Sequence, residues 1–182
     1  MKKLLILSLA AFSMVGLSGC DMIKGLLKKD EGIKYEGFVN EFRNVVNTDF
    51  VRAVETDATT SPETKKTYFY DKETHDWVYT MTMNLEGQNV EIPIKKHFEA
   101  YYYAMELKQT ADTKGQDIDE VWKFAKNEDG TFTVSMKANT DEENLTINFR
   151  SNGLMDSMKG KAQSNEGALA VSYVYNYYKT LD

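Results

Sequence analysis

The chain has 182 residues, a net charge of −6, 12% aromatic and 27% charged side chains, and one cysteine. That length suits one ordinary domain, and the aromatic content excludes long disorder. The acidic balance excludes a nucleic-acid binder, which needs clustered positive charge to meet phosphates. A single cysteine excludes an intrachain disulfide.

Residues 1–20 read MKKLLILSLAAFSMVGLSGC. Lys2 and Lys3 form a positive n-region, and Leu4 to Val15 form an apolar run in the signal-peptide range, short for a membrane span. Leu17-Ser18-Gly19-Cys20 then places small residues ahead of a cysteine. This segment resembles the signal peptide and lipobox of bacterial lipoproteins. The resemblance implies cleavage between Gly19 and Cys20, diacylglycerol on the Cys20 sulfur, acylation of the new amino terminus, and a mature chain exported to the cell envelope. Two or three acyl chains hold a protein stably to a bilayer, where one does so marginally.

Removing the two leader lysines leaves 20 basic against 28 acidic side chains, a mature charge of −8. Residues 21–29, DMIKGLLKK, read either as a flexible tether or as a short amphipathic helix on an anionic membrane surface. Asp21 resembles the inner-membrane retention signal of some enteric lipoproteins. The expected organisation is a signal peptide over 1–19, a lipidated N-terminus and tether over 20–32, and a single globular domain over 33–182.

From Tyr35 to Ala58 the apolar residues Tyr35, Phe38, Phe42, Val45, Val46, Phe50 and Val54 recur mostly every three or four positions, which predicts one amphipathic helix. Thr59 to Pro62 ends it with turn formers. After Pro62 the period becomes two. Tyr68 and Tyr70 begin a strand, and Trp77, Tyr79, Met81, Met83 and Leu85 continue on one face of the next. Glu86-Gly87 turns the chain into Val90, Ile92 and Ile94, with Pro93 marking an edge strand or a strand end. Residues 97–109 fit either element, and the three tyrosines at 101–103 favour a strand. Residues 110–118 read as a loop.

Val121 to Ala125 and Phe132 to Ala138 flank Asp129-Gly130, and Leu145 to Phe149 leads to Asn152-Gly153; both dipeptides suit type I′ hairpin turns. Leu154 to Met158 and Ala168 to Lys179 complete the strands. The fold class expected is α+β, an N-terminal amphipathic helix followed by a curved antiparallel sheet, a half-barrel or barrel-like meander. In element order alone this resembles the half-barrel of outer-membrane lipoprotein carriers and receptors.

Catalytic and cofactor signals are missing from the sequence. His75 and His97 stand outside any zinc motif, no Gly-x-Ser-x-Gly elbow occurs, and the acidic runs at 117–120 and 141–143 lack EF-hand order. The expectation is a non-enzymatic envelope lipoprotein without cofactor. Its partners are the membrane, through Cys20, and either an envelope protein or an apolar ligand; an envelope hydrolase is the remaining alternative. Trp77, Tyr79, Met81, Tyr173 and Tyr175 are the candidate ligand-facing residues, because alternation puts them on shared faces of strands rich in soft, large side chains. A filled core built from the same residues is the competing expectation.

Overall fold

The computed structural model describes residues 32–45, 49–138, 140, 141, 143–164 and 167–181. The leader, Leu17 to Cys20, Asp21 and the tether up to Glu31 lie outside them. Helix α1 spans Tyr35–Phe42 and is followed by strands β1 (Arg52–Asp57), β2 (Thr64–Tyr70), β3 (Trp77–Leu85) and β4 (Gln88–Lys96). Helices α2 (Ala100–Thr113) and α3 (Ile118–Val121) come next. Strands β5 (Trp122–Lys126), β6 (Phe132–Met136), β7 (Thr146–Phe149), β8 (Met155–Ser164) and β9 (Gly167–Tyr178) complete the order.

All nine strands form one antiparallel sheet ordered β4-β3-β2-β1-β9-β8-β7-β6-β5. It consists of two hairpin meanders, one on each side of the helices, joined where β9 lies along β1 from Arg52↔Tyr178 to Asp57↔Tyr173. The edges are therefore β4 and β5. Pro93 sits within β4 and lacks the N–H that a further strand would use. Ile33 forms an isolated bridge to Phe124 on β5.

Two expected elements are corrected. The helix predicted from Tyr35 to Ala58 stops at Phe42, and Arg52–Asp57 is a strand. The three-and-four spacing is genuine only as far as Phe42, where Tyr35, Phe38, Val39 and Phe42 are buried. Beyond it, β1 is hydrogen-bonded on both flanks, to β2 and β9, and this ladder outweighs the coincidental spacing of Phe50 and Val54. Most of the strand expected over 97–109, and the first four residues of the loop expected over 110–118, are instead helix α2. Its buried stripe, Ala100, Tyr103, Ala104, Leu107 and Ala111, has helical spacing. Of the three tyrosines only Tyr103 is buried, while half-buried Tyr101 packs against the border of the core.

The hairpins at Asp129-Gly130 and Asn152-Gly153 exist, but with a different turn. Only the glycines have positive φ, each +80°. Gly130 N–H donates to Asn127 C=O at 3.0 Å, and Asn127 N–H to Thr131 C=O at 2.8 Å. The Arg150 turn repeats the pattern with Gly153 and Leu154. Each is a type I turn closed by a left-handed glycine, rather than type I′.

The core lies between one sheet face and the helices. Phe38 is fully buried, with ring centroids 5.2 Å from Phe42, 5.1 Å from Phe124, 5.8 Å from Phe132 and 6.0 Å from Phe149. Trp122 and Phe132, expected inside, are each 3% exposed. Trp77 on β3 meets Tyr177 on β9 at 5.5 Å. These strands are three places apart, about 14 Å on a flat sheet at the usual strand spacing. The sheet is therefore bent around this face.

Candidate functional site

Strand register fixes which side chains share the core face. On β3 and β4, Trp77 is opposite Lys96, Tyr79 opposite Ile94, Met81 opposite Ile92 and Met83 opposite Val90. Strand β2 pairs with β3 only at Phe69↔Val78 and Tyr70↔Trp77. Beyond that root the β3–β4 hairpin continues as a two-stranded ribbon. Its core-side face stays apolar after helical cover has ended: Tyr79, Met81, Met83, Ile92 and Ile94 are half-buried, Val90 is 37% exposed and Leu85 48% exposed. The other face carries Thr80, Thr82, Asn84 and Glu91. A contiguous apolar strip with a polar reverse side is the common form of an interaction surface.

The predicted ligand-facing residues divide at the border of this strip. Trp77 and Tyr175 belong to the packed interior, at 0% and 2% exposure. Phe98 stacks on Trp77 at 5.6 Å and lies 4.8 Å from Tyr175. Tyr79 and Met81 are half-buried on the ribbon, and half-buried Tyr173 lies on β9. The predicted set is one face, filled at its inner end and uncovered at its outer end.

A polar knot marks the transition. Glu55, 1% exposed on β1, accepts from Lys96 Nζ at 2.8 Å and from Tyr175 O–H at 3.1 Å on Oε2. Its Oε1 has the Tyr68 hydroxyl at 3.4 Å and Lys66 Nζ at 3.8 Å. Lys96 Nζ also sits over the rings of Tyr68 and Tyr173, at 5.4 and 5.7 Å. Burial and the Glu55 carboxylate push the hydroxyls of Tyr68 and Tyr175 well above their ordinary range. Burial, with Asp57 and Glu55, moves Tyr173 up to about 12. At neutral pH the Tyr68 and Tyr175 hydroxyls are hydrogen-bond donors that fix the carboxylate.

Sequence reasoning missed Glu55, Lys66 and Lys96. The signal was available once β1 was known as a strand, since alternation puts Glu55 two positions from buried Ala53, on the inward face.

Glu99 is a second buried acid, 5% exposed, at the N-terminus of α2. Its Oε2 accepts from Trp77 Nε1 at 3.1 Å, while Oε1 has no hydrogen-bond partner. Desolvation raises its carboxyl above the usual range, so burial favours the neutral acid. Glu99 also borders a cavity of about 130 Å³ between the end of α1 and the start of α2, walled by Phe42, Phe50, Tyr101 and Leu154 among others. None of the predicted ligand-facing residues lines this cavity.

Both histidines flank Tyr102, with ring centroids 5.3 Å (His75) and 5.2 Å (His97) away. His75 Nδ1 is 2.9 Å from the Tyr70 hydroxyl, and His97 Nε2 is 3.8 Å from Asp76 and 3.7 Å from Glu106. His75, half-buried in the connection between β2 and β3, therefore packs against α2. Among the described residues no histidine and carboxylate cluster suits a metal ion, and no helix is long and apolar enough to cross a membrane. Comparisons with protein-family models, with curated proteins and with solved structures find no match.

Proposed function

We propose that this chain is a bacterial envelope lipoprotein, anchored through acyl groups on Cys20, whose domain is a non-enzymatic binding module. The anchoring part rests on the n-region, apolar run and lipobox at residues 1–20. Asp21 leans the location toward the inner membrane. The binding part rests on one observation, the apolar strip of Tyr79, Met81, Met83, Ile92 and Ile94 that extends the core face of the sheet beyond its helices. In this reading the curved sheet is a half-barrel whose inner end is a filled core. Its outer end meets an apolar ligand or an envelope protein. A tether of about a dozen residues spans at most roughly 40 Å when extended, so the strip stays near the bilayer surface.

Metabolic labelling with alkyne-palmitate tests the anchor. The wild-type chain incorporates the label and stays with membranes after a carbonate wash. Cys20→Ala incorporates none while keeping its circular dichroism spectrum, because Cys20 precedes every core-forming segment. Incorporation of the label by Cys20→Ala, or its absence from the wild-type chain, refutes the lipid anchor at Cys20.

A further inference from the structure

The strip has a charged border that narrows the choice of ligand. Lys66 lies opposite Glu55 in the β1–β2 register, on the same face as Tyr79 and Met81. Glu55 is already committed to Lys96 and Tyr175 through one oxygen and to Tyr68 through the other. Lys66 has only the 3.8 Å approach to Glu55, and its side chain is 45% exposed. An ammonium has three protons to donate. Asp57, the next carboxylate on this face, accepts from the Thr59 backbone N–H and hydroxyl at 2.9 and 2.6 Å. Lys66 is thus a cation with spare donor capacity beside an apolar strip.

The dimensions suit a single hydrocarbon chain. The β2–β3 register places Lys66 level with Met81, and from Met81 to Leu85 the ribbon rises four residues, about 14 Å at the strand repeat. One leaflet of a bilayer, half of a hydrocarbon core of about 30 Å, gives a lipid chain length of about 15 Å. The strip is two strands, about 5 Å, wide between backbones. Its area is too small for a standard protein interface of about 800 Å² per partner. Methionines at 81 and 83 adapt to a flexible chain.

We propose that the strip binds a single-chain anionic amphiphile of the fatty-acid class, with its carboxylate on the Lys66 ammonium and its chain along Met81, Met83 and Leu85. This deepens the binding reading given above and rests on it. Charge complementarity at the border selects the head, and the length of the strip selects the tail.

The test uses the lipidated chain in phosphatidylcholine nanodiscs with three photoreactive probes: diazirine-bearing palmitate, hexadecanol and phosphatidylcholine. Crosslinks are located by peptide mass spectrometry. Palmitate is expected to label residues 77–96 about fivefold more than hexadecanol, the preference a half-exposed ammonium–carboxylate pair supplies. Lys66→Gln brings palmitate down to the hexadecanol level. Lys65→Gln, on the opposite face of β2, leaves it unchanged. Equal labelling by palmitate and hexadecanol, insensitive to Lys66→Gln, overturns the assignment of the head while leaving an apolar binding strip. Labelling by phosphatidylcholine as strong as by palmitate makes the ribbon a bilayer contact and overturns the proposal. If no probe labels 77–96, the binding reading of the strip itself fails.

Discussion

Replacing Lys96 by Met isolates the worth of the knot at Glu55. The substitution keeps most of the apolar stem, but removes the ammonium 2.8 Å from Glu55 Oε2 and with it the cation over the rings of Tyr68 and Tyr173. Removing one partner from a buried ion pair costs about 3–5 kcal/mol, because the remaining charge is left buried. Two features reduce that figure here. The Lys96 side chain is 34% exposed, and Glu55 keeps the Tyr175 and Tyr68 hydroxyls and the distant Lys66. The expected loss is about 2–3 kcal/mol, equivalent to a fall in Tm of roughly 4–12 °C for a domain of this size. Urea unfolding followed by tryptophan fluorescence measures it, with an unchanged m-value indicating an unchanged native surface. Glu55→Gln in the Lys96→Met background should recover more than 1 kcal/mol, since it discharges the stranded carboxylate. A loss below about 0.5 kcal/mol for Lys96→Met, or strictly additive effects in the double variant, refutes the claim that this pair holds the transition between core and strip.

Glu99→Gln should stabilise the domain at neutral pH. The folded carboxyl is raised above its ordinary range by desolvation. Its contribution is fully present below about pH 4.5 and is lost as pH rises through the folded value; the amide abolishes that loss. Melting curves of the two forms should coincide near pH 4 and separate with the variant higher at pH 7; a gap that is constant with pH contradicts the assignment. Phe38→Ala should cost about 3–5 kcal/mol in urea unfolding, as a fully buried ring joining α1 to β5, β6 and β7; less than about 1.5 kcal/mol would mean that α1 is not part of the cooperative core. Gly153→Ala should cost about 2 kcal/mol or more, because its φ is +80° and a Cβ there would stand 2.7 Å from Phe42 Cδ1. An unchanged melting temperature for that variant would refute the close packing of the hairpin on α1.

The pairs Trp77–Leu85 with Gln88–Lys96, and Trp122–Lys126 with Phe132–Met136, were readable from the sequence. Two-residue alternation and the intervening glycines are local properties of the chain. The turn type was not, since Asp-Gly and Asn-Gly serve type I′ turns and left-handed closures alike, and only the φ of Asp129 and Asn152 separates them. The inward face of Trp77, Tyr79, Met81, Tyr173 and Tyr175 was also legible as alternation. Which part of that face is covered was not, because cover comes from α1 and α2, elements remote in sequence. Residues 52–57 show why local pattern fails. Val54 continued a helical spacing, yet β1 became a strand because β2 and β9 hydrogen-bond to both of its sides. One of those partners lies some 120 residues away. Glu55 follows the same rule: by type it is a surface residue, and only the meeting of Lys96, Tyr68 and Tyr175 from three other strands makes its burial tolerable. Sequence periodicity determined the side chains each strand offers to a face. Long-range pairing decided which face is filled, which charge is enclosed, and which apolar strip is left open.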